Sequence, residues 1–145
     1  MTTTLVIGLD GHGSGERALA YGTRMSGLIE GAELLVAYVI EWSPYSFQTA
    51  EENAERHKRR EEEVAMAMER IIEPALASLK ENGVAARGVV RHGNVADTLN
   101  AIAVEEKADQ IIVTRSSEGG IANRIFGSAT ANLVMSASVP VTVLS

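Results

Sequence analysis

Four short runs of mostly apolar residues constrain the architecture of this chain more than any other feature. They cover residues 5–9, 34–40, 111–113 and 139–144. The first three lack the polar alternation of a half-exposed strand and are too short for an ordinary helix, so they read as strands buried on both faces. The stretches between them carry helical spacing. Residues 16–30 place Ala18, Gly22, Met25 and Ile29 at that interval, and Gly31 stops the helix. Residues 50–82 are heavily charged over 51–63, then carry Val64, Met68, Ile71, Ile72, Leu76 and Leu79. Pro74 is expected to kink or divide this segment, and Asn82-Gly83 to end it. A weaker strand covers 86–91 and ends at His92-Gly93. A helix over 95–107 has Val95, Leu99, Ile102 and Ala103 on one face, a strand runs over 109–113, and the last helix covers 128–137.

Strands alternating with helices predict a single α/β domain over residues 1–145, a parallel sheet with helices on both faces and right-handed crossovers. Such a sheet takes its ligand beyond the carboxyl ends of the strands, where strand order reverses. Asp10, Glu41, Gly93 and the 114–127 loop all follow strands and converge on that edge.

Composition narrows the partners. Hydrophobic residues make up 46% and charged residues 22%, an ordinary globular balance. A net charge of −6 argues against nucleic acid, whose phosphates demand a basic patch. The absence of cysteine removes disulfides and thiolate chemistry. No apolar run reaches membrane-spanning length and no signal peptide opens the chain, so a cytoplasmic protein without membrane contact is expected.

The turn DGHGSG at 10–15 is a near miss for three motifs. A dinucleotide fingerprint would need Gly where Glu16 stands, and a P-loop would need Lys where Ser14 stands. A nucleophile elbow would need serine where Gly13 stands. It reads as a strand-to-helix turn with Ser14 as N-cap, touching a ligand chiefly through Asp10. His12, His57 and His92 lack further ligands at matching spacing, so no metal site is expected. The charged run 51–63 reads as a solvated helix face. Trp42 and Tyr45 either plug the core edge or line the crevice or a dimer contact.

The loop from 114 to 128 is the strongest candidate. It follows a strand and ends at Gly127-Ser128, where a helix is expected to start with Ser128 as its cap. That arrangement offers free amides and a positive dipole end to an anion. Ser116, Ser117, Ser128 and Thr130 add hydroxyls, and Arg115 and Arg124 add charge. The alternative is a plain glycine-containing connection.

Over its whole length the chain resembles the universal stress protein family. The resemblance rests on VIGLDGHGSGERAL at 6–19, VVRHGNVADTLNAIAVEEKADQIIV at 89–113 and FGSATANLVMSASVPVTVL at 126–144. It implies a doubly wound five-stranded parallel sheet in the order 3-2-1-4-5, adenine nucleotide alpha-hydrolase-like and Rossmann-like. It also implies a homodimer in which the last strand, 141–144, pairs with its symmetry mate. ATP-binding members carry G-x-x-G-x9-G-[ST]. Gly127 and Ser128 match the end of that motif, whereas Thr114 and Ser117 stand where its first two glycines belong. By position, the resemblance sets Asp10 and Val39 near adenine and ribose, and Val113 and Thr114 along the base. It sets Ser117, Gly127, Ser128, Ala129 and Thr130 at the phosphates. The implied function is binding of ATP or AMP in a stress response, with Mg²⁺ alongside ATP. The alternative is a member that binds no nucleotide and serves as an interaction module. Slow nucleotide hydrolysis ranks last, because no general base or catalytic lysine is evident.

Overall fold

A computed structural model describes residues 2–11, 15–41, 50–115 and 121–145, with side chains in the last segment from 129 onward. Five strands form one parallel sheet: β1 (Thr3–Leu9), β2 (Ala32–Glu41), β3 (Ala86–Gly93), β4 (Gln110–Thr114) and β5 (Val141–Leu144). Their spatial order is β3-β2-β1-β4-β5. The register runs Leu5↔Leu34 and Leu9↔Tyr38 between β1 and β2, and Ile7↔Ile112 between β1 and β4. The helices are α1 (Gly15–Leu28), α2 (Ala50–Ala67), α3 (Glu73–Glu81), α4 (Val95–Glu105) and α5 (Ile121–Ser136).

Alternation along the strands divides the core in two. Val6, Leu35, Ala37, Val39, Ile111 and Val113 face α4, through Leu99, Ile102 and Ala103, and α5, through Leu133. Leu5, Ile7, Leu34, Val36 and Ile112 face Ala18 of α1, Ile72, and Ala75 and Leu79 of α3. Burial of both faces is what the continuous apolar runs demand. Gly22 lets α1 lie close on β1: a Cβ there would stand 2.5 Å from Ile7 Cδ1.

The segment 50–81 is divided, as Pro74 suggested, but the break begins earlier. A π-helical turn, Met68–Ile72, separates α2 from α3, and Pro74 falls in the first turn of α3. A proline there gives up no hydrogen bond, because the first amides of a helix have no partner within it. Asn82 caps α3, and Gly83 follows at φ +75°, as the Asn-Gly pair predicted.

One expectation is overturned. The last helix begins at Ile121, not at Ser128. Gly127-Ser128 had the look of a break and a cap, yet nothing in Ile121–Phe126 opposes a helix, and an interior glycine costs only about 1 kcal/mol. Ser128 therefore lies inside α5 and is not its N-cap. His92 also sits within β3 rather than after it.

Candidate functional site

The chain leaves β1 for β2 and β3 on one side, then returns to build β4 and β5 on the other. Strand order therefore reverses between β1 and β4, and the carboxyl ends of those two strands form the switch point. Asp10 follows β1, Thr114 ends β4, Glu41 ends β2 and Gly93 ends β3. All four lie at one edge, as the sequence predicted.

The candidate residues reach this edge from different sides. Val39 and Val113 share the core face under α4 and α5. Thr130 lies one turn before Leu133 on α5, so it faces the same side. Thr114 alternates to the other face, beside its β5 partner Leu144. Ala129 is half-buried at the same level of α5 as Thr130. Gly127 and Ser128 lie more than a turn inside α5, where amides bond to carbonyls four residues back. The amides that a helix leaves without an intrahelical partner are those of its first turn, which in α5 starts at Ile121. Ser117, the Ser14 cap, His12, and the aromatic residues Trp42 and Tyr45 lie outside the described residues, as do the side chains of Arg124 and Ser128.

Two hydroxyls at this edge stand out. Thr114, 2% exposed, and Thr130, 8% exposed, each hold Oγ1 buried with no hydrogen-bond partner among the described residues. Leaving a buried hydroxyl unpaired costs about 1–3 kcal/mol. Neighbouring contacts fix the edge around them. The Arg115 amide donates to the Leu144 carbonyl at 2.6 Å, prolonging the β4–β5 ladder. Arg17 Nη1 of α1 donates to the Ser145 carbonyl, also at 2.6 Å.

On the other side of the switch point Gly11 turns the chain at φ +80°. A groove of about 330 Å³ opens beside this turn, between α1 and the π-helical turn. Tyr38 lies against the turn, and its phenol is pushed above its ordinary value by burial, then by Asp10 and Glu41. Sequence reading passed over Tyr38, which looks like any residue of a buried strand. Its place beside the Asp10 turn is set by the β1–β2 register, Leu9↔Tyr38, which local sequence does not encode.

The histidines do not gather at this edge. His57 is exposed and pairs with Glu61 at 3.2 Å, while His92 Nε2 lies 3.0 Å from Glu63 Oε2, tying β3 to α2. Among the described residues no group of three or more His, Asp or Glu is placed to hold a metal ion. Nor is any described helix long and apolar enough to cross a membrane.

No curated protein matches the chain. Solved structures do. UspA from Lactobacillus plantarum is 18% identical with a TM-score of 0.76, over 99% of this chain and 97% of its own. A universal stress protein in complex with cAMP is 23% identical with a TM-score of 0.66, over 99% and 96%. One from Archaeoglobus fulgidus in complex with dAMP is 17% identical with a TM-score of 0.65, over 99% and 98%. These likenesses show the fold. The model of the Universal stress protein family matches residues 1–145, and the chain belongs to that family.

Proposed function

We propose that this protein binds an adenine nucleotide, ATP or AMP, across the carboxyl ends of β1 and β4, and acts through occupancy rather than catalysis. The observation that carries the reading is the pair of buried, unpartnered hydroxyls of Thr114 and Thr130. A ligand lying over the end of β4 reaches both sheet faces, and its oxygen atoms would supply the missing partners. The complexes of universal stress proteins with cAMP and dAMP support adenine as the base. Asp10, Val39, Val113 and Thr114 would take the nucleoside. Ser117, Gly127, Ser128, Ala129 and Thr130 would face the phosphates. With the amides of Gly127 and Ser128 engaged inside α5, a monophosphate suits this edge better than a triphosphate. If ATP is the ligand, Mg²⁺ accompanies its phosphates, held by them and by water. The reading includes a cytoplasmic homodimer joined through β5.

The start of α5 at Ile121 favours a second reading, an interaction module without nucleotide. Thermal unfolding with AMP, ATP or cyclic AMP separates the two, together with mass spectrometry of small molecules released from freshly purified protein. The first reading expects a raised Tm or a co-purified nucleotide; absence of both leaves the second.

A further inference from the structure

Tyr38 can lie against the Asp10-Gly11 turn because Gly11 carries no side chain. Tyr38 is the register partner of Leu9, and the next residues along β1, Asp10 and Gly11, turn away at the edge. A Cβ at Gly11 would stand 3.3 Å from Tyr38 Cε1 and 3.4 Å from its hydroxyl oxygen. The ring thus reaches the Asp10-Gly11 turn with its hydroxyl at the level of the backbone. Ile71 of the π-helical turn closes in behind, 3.6 Å from the same point.

Accepting the nucleotide reading above, we infer that Tyr38 is a specificity-determining residue of the site, recognising a sugar hydroxyl together with Asp10. A carboxylate only accepts hydrogen bonds, whereas a phenol can donate. A hydroxyl of the ligand can do both at once, giving its hydrogen to Asp10 and receiving that of Tyr38. A tyrosine phenol is protonated at neutral pH and so can donate, and burial, then Asp10 and Glu41, raise its pKa further. The same two carboxylates repel a phosphate from this end. They orient the ligand with its sugar over β1 and β2 and its anionic group toward β4, where Thr114 and Arg115 lie. The ligand class is a nucleotide with free ribose hydroxyls.

The test is calorimetric titration of the full chain and of Tyr38→Phe with AMP, 2′-deoxy-AMP and 3′-deoxy-AMP. The wild-type chain should prefer AMP over one deoxy analogue by about 3- to 10-fold, the effect of one hydrogen bond. Tyr38→Phe should erase that preference while binding the disfavoured analogue as the parent does. AMP binding without a hydroxyl preference, or a preference that survives in Tyr38→Phe, overturns this inference and leaves nucleotide binding standing. Failure of all three ligands to bind the wild-type chain overturns both.

Discussion

Gly93, the last residue of β3, backs directly onto Thr98 in α4. Its φ is +153°, and a Cβ there would collide with Thr98 Oγ1. Asn94 follows and caps α4 by accepting from the Asp97 amide at 3.0 Å. Strand end, turn and helix start are thus one unit at the carboxyl edge. Gly93→Ala should lose about 1–3 kcal/mol of stability, from backbone strain and overpacking together. Gly27→Ala is the contrast: nothing lies within 4 Å of a Cβ on that helical residue. It should be neutral or stabilising by a few tenths of a kcal/mol, about the lower end of helix propensity gains. Denaturant midpoints of the two variants check both, and equal shifts would contradict the account.

Acid should weaken the clamp between β3 and α4. Arg91 reaches Glu105 at 2.6 Å and Arg87 reaches Glu106 at 2.8 Å. Hydrogen bonding from each arginine, then its charge, holds each carboxyl below the ordinary 4.5. A lowered folded-state value means the contribution is present above the carboxylate range and disappears as pH falls through it. Both pairs are exposed, so the effect is small and fades with salt. Melting temperatures from about pH 7 to about pH 3, the span of carboxylate titration, should fall more for wild type than for a Glu105→Gln, Glu106→Gln variant. Parallel curves would remove the clamp from the account.

Among the described residues nothing pairs with the outer edge of β5, and Val143 on it is 40% exposed. An apolar open edge invites strand pairing, which a charge at the same position blocks. Val143→Lys should convert the proposed dimer to monomer in sedimentation velocity at micromolar concentration, with the monomer still folded by circular dichroism. A wild-type chain that sediments as a monomer would sink the dimer.

The strands were legible because double burial leaves an unbroken apolar signature, seen in Leu34–Ala37 and Ile111–Val113. The ends of α1 and α3 were legible in Gly31 and Asn82-Gly83. The strand order was not: spacing cannot say on which side of β1 the chain returns, and the order came from family resemblance. The π-helical turn carries no compositional mark, since Met68–Ile72 continues the same helical residues on either side. The start of α5 was misplaced because Gly127 and Ser128 resemble a boundary wherever they occur, while the helix was decided by the permissive residues before them. Thr114 was legible as a residue standing where the nucleotide-binding motif has glycine. That its hydroxyl would be buried without a partner depends on three-dimensional neighbours, which local sequence does not encode.

The most direct measurement is nucleotide titration of wild type beside a Thr114→Val, Thr130→Val variant, with the stability of each measured unliganded. Valine keeps the branched shape and removes the unpaired hydroxyl. The unliganded variant should be as stable as wild type, or more so by about 1 kcal/mol per site, because an unmade hydrogen bond is removed. Its affinity for AMP should fall about 10-fold or more, from two hydrogen bonds lost to the ligand. Unchanged affinity, or an unliganded variant destabilised by several kcal/mol, would contradict the claim that these hydroxyls await a ligand.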